Sequence, residues 1–174
     1  MNPIVVTDIE TTGLDPTFHE IIDIGAVIVD PETLKNGDSI TIRVAPEHVA
    51  RLSESARIVN GYNAEAWQHA ISLKEALEEY SRFAAGCMFC AHNVTFDWGF
   101  IDEGFRKTKV LNKLDYHRLD LHTMAWMKLR NKLDHFNLKH VAAYFNLEPE
   151  PEPHVGLAGA SLECDVLRRL LDTK

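Results

Sequence analysis

From Glu20 to Asp30 the chain carries a long β-branched run, broken only by Asp23 and Gly25 and ended by Pro31-Glu32. Such a run is a strand, and its surroundings make it the middle one of three. Pro3-Ile4-Val5-Val6 precedes it across a Thr-Thr-Gly turn, and Ser39 to Val44 follows across Asn36-Gly37-Asp38. The chain therefore starts as an antiparallel meander with short connections.

Beyond Val44 the pattern changes. Ser53 to Val59 predicts a short helix closed by Asn60-Gly61, and Ser72-Leu73-Lys74-Glu75 is a capping box opening a helix to about Ala85. Met88 to Ala91 reads as a buried strand, Thr95 to Lys107 as a helix, Tyr116 to Asp120 as a strand, and Leu121–Arg130 and Leu138–Phe145 as helices. The alternating prolines of Leu147 to Pro153 forbid helix there, and a last helix covers about Leu157 to Leu171. Three strands followed by alternating helix and strand predict an α/β fold, with a mixed central sheet flanked by helices.

At 174 residues and 45% hydrophobic, the chain predicts a single domain, 1–174. Ile21 to Val29 is too short to cross a bilayer and no basic-then-apolar leader precedes it, so a soluble protein without a secretion signal is expected. Three cysteines, Cys87, Cys90 and Cys164, lack a disulfide-framework spacing and fit buried thiols in a reducing cytoplasm. Cys87 and Cys90 form a CxxC, but no second ligand pair accompanies it. A net charge of -8 argues against binding phosphates by a blanket of Lys and Arg. It leaves open an acidic site that grips nucleic acid through bound cations.

Asp8 and Glu10 follow the first apolar run. Alternation places both carboxylates on one face at the end of the sheet, where mutual repulsion favours a cation between them; turn formation and solubility are the plainer explanation. Asp97 follows the fourth strand in Ala91-His92-Asn93-Val94-Thr95-Phe96-Asp97, a position where α/β sheets assemble sites and where a helix dipole also favours an acid. His154 stands between the proline loop and the last helix.

These segments resemble the motifs of the DEDDh family of 3′–5′ exonucleases, which includes ribonuclease T-like enzymes and the proofreading epsilon subunit of bacterial DNA polymerase III. Asp8-Ile-Glu10-Thr-Thr-Gly13 matches the first motif and His92-Asn-x-x-Phe-Asp97-x-x-Phe100 the second, and the resemblance covers nearly the whole chain. It implies a ribonuclease H-like fold, with Asp8, Glu10 and Asp97 holding two Mg²⁺ or Mn²⁺ ions and His154 acting as general base. It also implies that Ile9, Thr11, Leu14, His92 and Phe96 lie along the substrate strand. Core packing is the alternative for Leu14.

The family's third motif, His-x-Ala-x-x-Asp, reads His154-Val-Gly-Leu-Ala-Gly159 here, so glycine stands where the resemblance implies a fourth carboxylate. Asp165 lies six residues on, about 9 Å along the helix axis and on another face. Glu163, one turn past Gly159 on about the same face, is better placed to reach back, directly or through a water. The expected function is metal-dependent 3′–5′ hydrolysis of single-stranded DNA or RNA, releasing nucleoside 5′-monophosphates. The alternative is an impaired exonuclease fold that binds 3′ ends or a polymerase partner. The chain's end soon after the last helix favours a free-standing enzyme or an isolated catalytic domain.

Overall fold

The protein is described by a computed structural model covering residues 1–173. The meander is present: β1 (Ile4–Thr11), β2 (Ile21–Val29) and β3 (Asn36–Arg43) pair antiparallel in chain order. A 3-10 turn at Val49–Arg51 and helices α1 (Glu54–Asn60) and α2 (Leu73–Phe83) follow. Next come β4 (Met88–Ala91), α3 (Val94–Thr108), β5 (Arg118–Asp120), α4 (Leu121–Leu129), α5 (Leu138–Tyr144) and α6 (Gly156–Asp172). β4 and β5 add in parallel on the other side of β1, giving the order β3-β2-β1-β4-β5. This is the expected mixed sheet flanked by helices.

Three boundaries differ from the sequence expectation, each for a local reason. The β2–β3 turn comes earlier than Asn36-Gly37-Asp38, because Asp30 Oδ1 accepts from the Glu32 and Thr33 N–H groups and the Thr33 hydroxyl. Leu34 then takes a left-handed conformation (φ 56°), and Asn36 onwards extends β3. The fifth strand loses Tyr116 and His117, since Asp115 Oδ1 accepts the His117 N–H at 2.7 Å and turns the chain there. β1 continues through the acidic pair, with Asp8 opposite Gly25 and Glu10 opposite Asp23, before the register shifts between Glu10 and Thr11.

Alternation along β1 divides the core. Val5 and Ile9 pack with Leu77 and Tyr80 of α2 and with Phe100 and Ile101 of α3. Ile4 and Val6 face the opposite layer, with Leu121 of α4 and Ala160, Cys164 and Leu167 of α6. Asp8 and Glu10 continue this second row, so both acids lie on the α6 side. α4, α5 and α6 close on each other through Leu129, Val141 and Val166. All three cysteines are buried and free, as expected.

α6 meets the sheet through glycine. A Cβ on Gly25 would lie 1.9 Å from the Gly156 carbonyl carbon, and one on Gly156 would lie 2.6 Å from the Gly25 nitrogen. Asp23 Oδ2 accepts the Gly156 N–H at 3.1 Å, so an acid of β2 holds the start of the helix. The obstructing atoms are backbone and cannot rotate away. Gly25→Ala should therefore destabilise the fold by about 3 kcal/mol or more. Gly37→Ala, whose Cβ meets nothing nearer than 3.5 Å, should be close to neutral. Denaturant titration of the two variants measures the difference, and equal midpoints would contradict the packing described.

Candidate active site

β1 pairs with β4 only as far as Val6 opposite Cys90, and β4 itself stops at Ala91. Past that point β1 needs other hydrogen-bond partners. The Ile9 N–H finds one in Asp97 Oδ1, 3.2 Å away on the first turn of α3. The sharp passage from β4 into α3 uses Asn93 in a left-handed conformation (φ 68°), which asparagine tolerates better than most residues. Asp120, at the end of β5, accepts the Asn93 and Val94 N–H groups on Oδ1 and the Thr123 N–H on Oδ2. One carboxylate thus fixes the starts of α3 and α4 and sets Asp97 against β1.

Asp8 lies against α6. A Cβ built on Gly159 would come within 2.3 Å of Asp8 Oδ2, so the carboxylate fills the room a side chain at 159 would need. One turn further, Glu163 is 1% exposed. Its Oε1 accepts the His92 N–H at 3.0 Å, and its Oε2 has no hydrogen-bond partner among the described residues.

The opposite wall carries His154. Its N–H donates to the Val59 carbonyl at 2.9 Å, which ties the proline loop to α1. Its side chain is 36% exposed, with Nδ1 3.3 Å from Glu150 Oε2. Glu10, Glu150 and His154 each offer a ligand atom within 4.8 Å of the other two.

Between these walls opens a cleft of about 400 Å³, lined by Asp8, Ile9, Glu10, Thr11, Leu14, Phe96 and His154 among others. Leu14 stands at its rim, 81% exposed, so core packing is not its role. Of the residues picked out from the sequence, Asp97 stands behind this lining, bonded to the Ile9 N–H, and His92 lies outside it. Its Nε2 lies 2.7 Å from the Phe136 carbonyl and its ring stacks edgewise on His122, so the side chain is engaged beside α4 and absent from the cleft lining. What His92 gives the site is its backbone N–H.

Glu150 and Asp23 were not singled out from the sequence. The i, i+4 spacing of Glu150 and His154 was the available signal for the first, and an acid inside an Ile/Val run for the second. Another cleft, of about 470 Å³, opens beside Glu20, His48 and Glu103. There Glu20 is paired with His48 at 2.8 Å and Glu103 with Arg106 at 2.6 Å.

The sequence profile of the RNase_T family, described as exonucleases, matches residues 5–167, from β1 into the last turns of α6. The chain belongs to this exonuclease family. The PolC-type DNA polymerase III of Thermotoga petrophila is 31% identical over 168 residues, 97% of this chain and 12% of the polymerase. The Staphylococcus aureus protein of the same description is 35% identical over 105 residues, 59% of this chain and 7% of that one. The chain thus spans only a small part of the curated relatives it matches.

Solved exonuclease structures share the fold at low identity. The nuclease domain of 3′hExo, a DEDDh family member bound to rAMP, superimposes with a TM-score of 0.81 at 17% identity, covering 98% of this chain and 92% of that one. E. coli exonuclease I in complex with a dT13 oligonucleotide gives 0.83 at 17% identity, covering 99% and 42%. The exonuclease chain therefore has the ribonuclease H-like α/β fold that its motifs implied.

Burial is the first cause of the unusual electrostatics of this family member's cleft, and like charge the second. Asp8 is held well above the ordinary carboxyl range by burial, then by Glu163, Asp97, Glu10 and Glu150. Burial pushes Glu10 to about 8, helped by Glu150, Asp23 and Asp97, and pushes Asp97 to about 8. Glu163 is raised well above its usual value by burial and then by Asp97. Among the described residues, none of these four acids forms an ion pair with a lysine or arginine. The buried Oε2 of Glu163 and Oε1 of Glu150 have no hydrogen-bond partner. Crowded hard oxygen donors without a countercharge suit divalent cations such as Mg²⁺ or Mn²⁺.

These shifts set a pH dependence for the metal-free protein. Groups whose folded pKa lies above the unfolded value stabilise the fold fully below the unfolded carboxyl value, near 4, and that stability is lost as pH rises through about 8. The melting temperature in EDTA should fall by several degrees between pH 5 and 8.5. Saturating Mg²⁺ should raise it most at the upper end, and a flat profile in EDTA would contradict the description.

Proposed function

We propose that this exonuclease-family chain is a metal-dependent 3′–5′ exonuclease that releases nucleoside 5′-monophosphates from the 3′ end of single-stranded DNA or RNA. The observation that carries the reading is one cleft lined by Asp8 and Glu10 from β1 and His154 from the loop before α6, with Asp97 of α3 bonded to the Ile9 N–H in its wall. Asp8, Glu10 and Asp97 would hold two Mg²⁺ or Mn²⁺ ions. When bound, such ions would supply the positive charge that stabilises the attacking and leaving oxygens of a phosphodiester displacement. They also explain how a chain of net charge -8 receives a phosphodiester.

The chain's own groups do the rest. Glu150 beside Nδ1 orients the His154 ring and leaves Nε2 to accept the proton of the attacking water. The water oxygen bonds to phosphorus as the bond to the 3′-oxygen breaks. A 3′-hydroxyl is left on the shortened strand, and the 5′-monophosphate departs. Backbone groups at Ile9 and Thr11 border the terminal nucleotide, and the exposed Leu14 presses on the last base, a contact every base can make. Phe96 lines the same path. The polymerase relatives and the oligonucleotide bound to exonuclease I support a nucleic-acid strand end as substrate and a DNA polymerase as partner.

Gly159 favours one other reading, an impaired exonuclease fold that binds a 3′ end or a polymerase with little hydrolysis. Labelled strands separate the two. A 5′-labelled single strand should shorten progressively with Mg²⁺ or Mn²⁺ and stay intact in EDTA, and Asp97→Asn should remove nearly all activity. His154→Ala should lower kcat by about 10² to 10⁴-fold with strand binding retained. Binding without shortening in either metal would establish the second reading; neither binding nor shortening would defeat both.

A further inference from the structure

We infer that Glu163 is the fourth carboxylate of the cation site, reaching it from one turn further along α6 than position 159. The inference rests on the metal-dependent reading above and adds a ligand to it. Three observations carry it. First, position 159 has no space for an acid while Asp8 keeps its place: a Cβ there would lie 2.3 Å from Asp8 Oδ2 and 2.7 Å from its Cγ. The glycine lets the Asp8 carboxylate rest directly on the α6 backbone.

Second, Glu163 is 1% exposed and only half satisfied. Oε1 accepts the His92 N–H at 3.0 Å, while Oε2 is buried and has no hydrogen-bond partner among the described residues. A carboxylate oxygen buried in that state is costly unless a proton or a cation completes it. Third, the strongest charge beside Glu163 belongs to a candidate ligand. After burial, Glu163 is the largest influence on Asp8, and Asp97 is the largest charge acting on Glu163. Asp8 of β1, Asp97 of α3 and Glu163 of α6 are thus near enough for their charges to act on one another.

The arrangement also explains the residue type. An aspartate at 163 would be one methylene shorter and would draw the carboxylate back from the His92 N–H. Glutamate holds that N–H on Oε1, just past the end of β4, and leaves Oε2 for a cation. Gly159 and Glu163 therefore act as a pair, the first making room for Asp8 and the second supplying the oxygen.

Calorimetric titration of the full chain with Mn²⁺ tests this without any catalytic readout, together with the melting temperature in EDTA and in saturating Mn²⁺. Glu163→Gln keeps an oxygen for the His92 N–H and removes only the charge. It should weaken Mn²⁺ binding by roughly tenfold or more. It should leave the EDTA melting temperature equal or higher and shrink the Mn²⁺-induced rise. Asp97→Asn is the reference variant and should also lose Mn²⁺ affinity. If Asp97→Asn loses affinity while Glu163→Gln binds Mn²⁺ as the parent chain does, Glu163 is only a buried acceptor for His92 and the inference falls alone. If the parent chain binds no Mn²⁺, or Asp97→Asn binds it equally well, the metal-dependent reading falls with it. A Glu163→Gln chain with a lower EDTA melting temperature and unchanged affinity would likewise assign Glu163 a structural role.

Discussion

The contact between α6 and the first two strands sets the rest of the molecule. Gly25 and Gly156 touch through backbone atoms, and Asp23 holds the first N–H of the helix. A helix carrying ordinary side chains at its foot would stand further from the sheet, since helix axes seated on side chains pack 8–10 Å from their neighbours. Here the close seat brings Gly159 onto Asp8 and sinks Glu163 beside the end of β4. The geometry of the acidic cleft is therefore a consequence of where two glycines meet, and the same seat leaves Asp8 only part of its solvent.

Charge concentration is the counterpart of that packing. Apolar side chains on both faces of β1 supply the burial, and the acids continue the same alternation into the space between the sheet and α6. Folding without a cation raises their proton affinity, first through burial and then through their mutual repulsion, and among the described residues no lysine or arginine pairs with them. By contrast Asp120, with four donors from the starts of α3 and α4, sits below the usual carboxyl range. The same side chain type is a cap in one place and an unmet charge in the other, and the difference is the supply of N–H and O–H donors.

Much of this was legible in the sequence because the signals were local and periodic. The Ile/Val run of β2, the capping box at Ser72 and Glu75, and the prolines before His154 each determine their own segment. The two acids of β1 and the Asp97 segment were visible through motif spacing. What escaped was set by contacts distant in the chain or by competing turn chemistry. Asp30 captured the β2–β3 turn ahead of Asn36-Gly37, a choice between two good turn formers that pairing decided. The His92 ring was drawn to the Phe136 carbonyl, 44 residues away. Leu14 could not be told from a core leucine until its exposure was known, and Glu150 was hidden in a loop whose composition reads only as extended chain.

The candidate groups also divide by how firmly they are held. Asp8 and Glu10 belong to a strand packed on both faces, Asp97 to the first turn of a helix bonded to that strand, and Glu163 to a buried stretch of α6, so their backbone is held by the core. His154 is on a loop restrained through a backbone bond to Val59, the Glu150 carboxylate, and Pro153 against Gly61. α1, to which it is tied, contributes Ser55, Ala56 and Asn60 to the same cleft and is itself a seven-residue helix with one buried residue. Because short, exposed elements open at lower free energy than packed ones, the wall bearing His154 is the one able to move against the carboxylates. The proposed exonuclease reading requires a site that holds cations rigidly yet admits and releases one nucleotide after another, and the asymmetry that suits it follows from placing the acids beside the core and the histidine on a tethered loop.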